Sequence, residues 1–224
     1  MKTADLFLRV IGVLFFLPME CVASLIRFDV RGQEHMPEGA YLLCPTHKGD
    51  LDGYFIRRAL RRRSSGRRNR FIFRLAARPW VKRVFLLYWK GWIIEASGPN
   101  VATLRGALAW LDRGNPVTIF PEGIEHGRDV LHLGAALLAC RSGRPILPLQ
   151  IDRGVFAGAG TPFFALPLLT LFNYLRKAPR VRLTFCEPLR PDPQRYQSEG
   201  RKYLELLTRE LGRRLFGREV EIVG

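Results

Sequence analysis

Apolar residues along this chain fall into one long N-terminal stretch followed by short blocks and helical stripes. The stretch covers residues 6–26, LFLRVIGVLFFLPMECVASLI, and is interrupted by Arg9, Pro18 and Glu20. A helix of about 20 residues would cross a ~30 Å hydrocarbon layer. Pro18 lacks the amide hydrogen a helix interior needs, so it should kink or stop the helix and leave roughly three uninterrupted turns. A helix lying in a membrane interface fits this pattern better than a span. Lys2 and Arg9 as a charged start before the apolar residues 11–17 also fit a signal segment, with Ala23 at the cleavage position. Packing against a domain core is the third reading.

From Phe28 onward, breakers separate short apolar runs. Tyr41-Leu42-Leu43-Cys44, Trp92-Ile93-Ile94, Val117-Thr118-Ile119-Phe120, Ile146–Ile151 and Arg180–Phe185 read as strands. Val101, Leu104, Leu108 and Leu111 recur at helical spacing, with Asn100 placed to cap and Gly114 to close. Residues 131–140 read as a second helix. Residues 196–216 read as an amphipathic third, carrying Leu204, Leu207, Leu211 and Leu215 along one side. Strands alternating with helices predict an α/β architecture. The expected organisation is an N-terminal anchor helix over residues 1–27 and one domain over 28–224.

Composition narrows the partners. The 224 residues are 47% hydrophobic and 25% charged, which supplies a core and excludes a disordered tail. Lys and Arg number 36 against 20 Asp and Glu, a net charge of +16, so the surface should meet an anionic bilayer, an acidic protein or nucleic acid. Much of the excess lies in residues 57–70, RRALRRRSSGRRNR, followed by Arg74, Arg78, Lys82 and Arg83. Near an anionic bilayer each such residue contributes on the order of 1 kcal/mol. Phe71, Phe73 and Trp80 offer stacking faces for nucleic acid, yet no recognition motif accompanies them, and nucleic acid ranks last. Cys21, Cys44, Cys140 and Cys186 are far apart, without the paired spacing of a zinc site, and read as reduced, small hydrophobes.

Candidate chemistry sits directly after two of the predicted strands, where open α/β sheets place their sites. One segment is Thr46-His47-Lys48-Gly49-Asp50-Leu51-Asp52-Gly53, the other Phe120-Pro121-Glu122-Gly123. An Asp five residues after a His, across a glycine, can fold back to accept a hydrogen bond from one imidazole nitrogen and leave the other as a base. With no serine in the segment, the base would act on a substrate hydroxyl or amine. The plainer reading of His47 is a residue that satisfies a loop, and of Glu122 a carboxylate at a helix start.

Together the two segments resemble the glycerolipid acyltransferase family, which includes the lysophosphatidic acid acyltransferases. Val30-Arg31-Gly32-Gln33-Glu34-His35-Met36-Pro37 is similar to that family's approach to its histidine. Gly91-Trp92-Ile93-Ile94-Glu95 falls at its second block, and Gly134-Ala135-Ala136 with Ile146-Leu147-Pro148-Leu149 at its fourth. Phe185-Cys186-Glu187-Pro188-Leu189 resembles its closing strand, so the likeness runs over residues 28–216. It implies a mixed β-sheet flanked by helices, behind an N-terminal membrane-contacting helix. The implied reaction moves a fatty acyl chain from acyl-CoA or acyl carrier protein to a lipid hydroxyl, with His47 as base and Asp52 orienting it. The donor is a substrate, and no cofactor or metal is implied, because a thioester is already activated for direct attack. Phe120, Pro121, Glu122, Gly123, Glu95 and His132 would contact substrate. The implied place is the cytoplasmic face of the cell membrane, held peripherally or monotopically on anionic lipid. Residues 162–172, PFFALPLLTLF, would dip into that bilayer, line an acyl-chain groove or pack in the core.

Departures from the family concern the acceptor. Ile124-Glu125-His126 stand where Thr-Arg-Ser is usual, Ala96 where the second block ends in arginine, and His132 at another usually basic position. Thr46 and Gly49 replace the usual Asn and Ser. The missing arginines are those associated with an acceptor phosphate, which a guanidinium grips through paired hydrogen bonds. Lys48, Arg128 or the basic run would have to replace them. The alternative is a non-catalytic lipid- or nucleic-acid-binding protein that retains the fold.

Overall fold

The structure is a computed structural model that describes residues 3–61, 68–74, 79–94, 100–123, 130–154, 166–177 and 180–223. Its centre is a seven-stranded mixed sheet in the order β1 (Arg27–Arg31), β8 (Arg180–Phe185), β7 (Ile146–Ile151), β2 (Leu42–Pro45), β5 (Val117–Ile119), β3 (Arg70–Arg74), β4 (Trp92–Ile94). Strands β7, β2, β5, β3 and β4 are mutually parallel; β8 runs against β7, and β1 lies parallel to β8. A separate parallel pair joins β6 (Val130–His132) to β9 (Glu221–Val223).

Alternation along the buried strands makes two cores. Tyr41 and Leu43 face a core completed by α1 (Thr3–Leu25), α2 (Asp52–Leu60), α3 (Pro79–Trp89) and α6 (Leu166–Lys177). Leu42 and Cys44 face the other, completed by α4 (Val101–Asp112), α5 (Gly134–Ser142) and α8 (Arg201–Phe216), with α7 (Pro193–Glu199) alongside. Burial of Cys44 pushes its thiol well above the ordinary cysteine range, whereas Cys21 is exposed.

Several local expectations change. Helix α1 runs through Pro18 without stopping. The Leu14 carbonyl that loses its partner lies on an exposed stretch, while Phe16, Met19, Val22 and Ala23 bury against the core and hold both halves in line. No helix among the described residues is long and apolar enough to cross a membrane. Residues 131–140 are not one helix: Leu131 and His132 are captured as a strand by Ile222 and Val223, and α5 starts only at Gly134. Such pairing with a distant strand is invisible to local spacing. Residues 196–216 divide at Gly200 into α7 and α8, and Asp192 caps the first by accepting from the Gln194 and Arg195 amides. Asn100 occupies the N-cap position of α4 without a side-chain capping bond. Arg70–Arg74, within the basic run, is a strand, because Phe71 and Ile72 bury between β5 and β4.

Candidate active site

Adjacent parallel strands β2 and β5 end on the same edge of the sheet, so the turns that follow them lie side by side. Thr46 extends β2 by one more link to β7. Its amide donates to the Leu149 carbonyl at 2.9 Å and its hydroxyl accepts the Ile151 amide at 2.8 Å. The chain then turns through Lys48 and Gly49 into α2, whose first residue is Asp52.

Asp52 is 1% exposed, and its Oδ2 accepts three bonds: from His47 Nδ1 at 2.9 Å, the Lys48 amide at 2.6 Å and the Gly49 amide at 2.9 Å. The positive end of the α2 dipole adds to these donors. All are local, so the turn closes around its own carboxylate. With Asp52 accepting at Nδ1, the neutral imidazole keeps its proton there and the lone pair sits on Nε2. The His47 ring is 25% exposed and lies against Phe120, ring centroids 4.7 Å apart.

The second turn supports the first from behind. Gly123 has φ +63, and its amide donates to the Phe120 carbonyl at 3.2 Å, which tightens Phe120-Pro121-Glu122-Gly123. Glu122 is fully buried, and its Oε1 accepts the His47 amide at 2.7 Å. Such a charge-assisted bond from backbone to carboxylate is strong where water is excluded. It joins the two sequence segments at His47 itself, a contact within the protein that the spacing of residues did not announce. Gly154, also absent from the sequence reading, backs the same turn. A Cβ there would stand 2.5 Å from the Lys48 carbonyl carbon and oxygen. The only local signal was a glycine soon after β7, the strand beside β2.

His47 opens onto a cavity of about 590 Å³. Phe120, Pro121, Gly123 and His132 join His47 in lining it, whereas Glu122 does not. His132 is tied there by its amide to the Pro121 carbonyl at 2.9 Å, and its Nε2 is buried without a hydrogen-bond partner among the described residues. Most of the lining is apolar and comes from far along the chain: Phe16 and Met19 of α1, Phe73 of β3, and Val81, Phe85 and Trp89 of α3. Edge-to-face packing of Phe73 on Phe85, at 4.6 Å, and stacking of Phe16 on Tyr88, at 4.3 Å, fix these rings. Burial, with Tyr88 adding to it, holds the lining Tyr54 phenol well above its ordinary value, so that wall stays neutral.

Other candidates fall elsewhere. The Lys48 ammonium lies over the Phe216 ring at 5.6 Å and does not line the cavity. Glu95, Ala96, Ile124, Glu125, His126 and Arg128 lie outside the described residues, as do residues 162–165 of the second apolar patch. Among the described residues, no three of His, Cys, Asp and Glu gather closely enough to hold a metal ion. The arrangement can take a proton from a hydroxyl at the head of an apolar cavity.

Residues 27–152 match the family model described as Acyltransferase, a span that holds both turns and His132. The fold is similar to the crystal structure of the 1-acyl-sn-glycerophosphate (LPA) acyltransferase PlsC from Thermotoga maritima. The match has a TM-score of 0.51 at 22% identity and covers 96% of this chain and 83% of that one.

Proposed function

The chain belongs to the acyltransferase family, and on that premise we propose that it moves a fatty acyl chain from acyl-CoA or acyl carrier protein to the hydroxyl of a lysophospholipid or related lipid. The observation that carries this reading is the His47–Asp52 pair, 2.9 Å apart, at the head of the apolar cavity. His47 Nε2 takes the acceptor hydroxyl proton as that oxygen attacks the thioester carbonyl. The tetrahedral intermediate then collapses, the carbon–sulfur bond breaks, and the departing sulfur takes the proton from the imidazolium. Asp52 holds the ring and stabilises its charged form. The aromatic and aliphatic walls accept the acyl chain, and the cavity volume lies in the usual range of roughly 300–1,000 Å³ for ligand sites.

Two helices carry the membrane contact in this reading. Exposed Phe7, Val10, Leu14 and Leu17 on α1, with Leu168 and Phe172 on α6, suit a helix pair lying in the interface at the cytoplasmic face of the cell membrane. The complete dyad supports an enzyme over a non-catalytic lipid- or nucleic-acid-binding descendant of the fold. Purified protein should be given long-chain acyl-CoA and acyl carrier protein with a panel of lysolipids, with and without an acceptor phosphate. Wild type is expected to acylate at least one acceptor, and His47→Ala to lose on the order of 10²–10⁴ in rate. Equal activity in both would overturn the mechanism.

A further inference from the structure

A second cavity, of about 690 Å³, lies at the opposite edge of the sheet from His47. The register aligns Arg70 with Val117, and Val117 with Leu42 at the start of β2, whereas His47 follows the end of that strand. Five residues of strand separate the two levels by about 16 Å. Trp89 lines both cavities and stands between them.

Five cations line this space: Arg57, Arg61, Arg68, Arg70 and Lys90. Glu20 answers two of them, bonding Arg57 at 2.7 Å and lying 3.7 Å from Arg61. Arg68, Arg70 and Lys90 have no carboxylate partner among the described residues. Five positive charges less one negative leaves an excess of four, which suits a multiply charged phosphate group better than a single carboxylate.

Aromatic faces hold two of the guanidinium groups in fixed orientation. Arg70 lies 3.6 Å from the Trp110 ring centre, and Arg57 lies 3.9 Å from that of Trp89. Burial, with the Arg113 charge adding to it, pushes Arg70 below its ordinary value, as expected of a cation lacking a counter-charge. Lys90 adds an independent sign. It is the only non-glycine residue among those described with positive φ, at 53°. A lysine there accepts a backbone conformation that glycine takes without strain, and places its charge on the cavity rim.

We propose that this cavity binds a phosphate-bearing anion, gripped by Arg68, Arg70 and Lys90. The site is separate from acyl-transfer chemistry, since none of these three side chains lines the His47 cavity. The phosphate belongs either to a soluble polyphosphate or to a lipid headgroup, and two arms distinguish the sources. Calorimetry of the full chain with inorganic pyrophosphate and with adenosine 3′,5′-bisphosphate tests the first. Flotation with phosphatidylcholine vesicles, with and without phosphatidic acid, tests the second. In the Arg70→Gln/Lys90→Gly double variant, soluble binding is expected to weaken roughly tenfold or more. If the lipid is the source, flotation of that variant on phosphatidic acid vesicles falls to the level seen with phosphatidylcholine alone. Lys90→Gly by itself should also bind more weakly while melting no lower than wild type, because glycine takes positive φ without strain, and this separates lost binding from lost folding. No binding by wild type in either arm, or binding that the double variant keeps, would overturn the site.

Discussion

At one edge of the sheet, the buried Asp52 carboxylate is answered by three donors drawn from the five residues before it. At the other edge, Arg68, Arg70 and Lys90 line a cavity with no carboxylate of their own among the described residues, and flat aromatic rings hold Arg70 in place of a counter-ion. The first region holds one carboxylate oxygen with two backbone amides and the His47 ring, which fixes the turn and leaves one imidazole nitrogen for chemistry. The second leaves charge over and depends on long side chains. A turn held by short local hydrogen bonds suits proton transfer, whereas a cation-rich, side-chain-built cavity suits capture of an anion.

Breaking the rigid turn should have the largest consequence. Asp52→Asn keeps the shape but removes the charge that fixes the His47 tautomer, and kcat is expected to fall on the order of 10²–10⁴. Steady-state rates with the best acceptor check this, and an unchanged kcat would show that the Asp52 contact is structural only. Glu122→Ala should lower kcat by about 10–100-fold, because the His47 amide loses a buried acceptor worth about 1–3 kcal/mol. Glu122→Gln, which keeps an acceptor oxygen, should recover part of that loss, and denaturant titration alongside kinetics separates positioning from stability. If Gln and Ala behave alike, the carboxylate charge itself is the requirement.

A subtler change sharpens the contrast from within the cavity. Val81→Trp fills the wall without touching the dyad, so kcat/KM for the longest accepted acyl chain should drop about tenfold relative to shorter ones. A uniform loss across chain lengths would argue against this wall as the chain site. The smallest effect belongs to the basic edge. Lys90→Gly relieves about 1–2 kcal/mol of left-handed backbone strain but loses about 0.4–1 kcal/mol to a freer unfolded chain, so the unfolding free energy should stay level or rise by about 1 kcal/mol, measured from the urea midpoint.

How much of this was legible depended on sequence distance. His47 and Asp52 are five residues apart across a glycine, and a five-residue turn is a local matter, so the residue types announced their contact. The tie from Glu122 to the His47 amide spans 75 positions and exists only because β2 and β5 became neighbours. The family resemblance implied a substrate contact for Glu122, and the fold turns one of its oxygens onto the protein's own backbone. At Pro18 a strong local breaker lost to packing, because Phe16 and Met19 anchor the helix on either side of it. Residues 131–140 failed as a helix for the same reason, since Ile222 and Val223 supply a partner strand from the far end of the chain.

The amino-acid pattern alone determined the alternation of strands and helices, the apolar N-terminus, the excess of 16 positive charges and the pairing of His47 with Asp52. These follow from periodicity, composition and short-range geometry. Only the tertiary structure decided that α1 and α3 wall the cavity, that Glu122 steadies His47, and that the arginines after α2 line a second cavity at the opposite edge of the sheet. Those outcomes depend on strand order, which is set by the burial of two opposed apolar faces across the whole sheet and so by contacts that no short window of sequence contains.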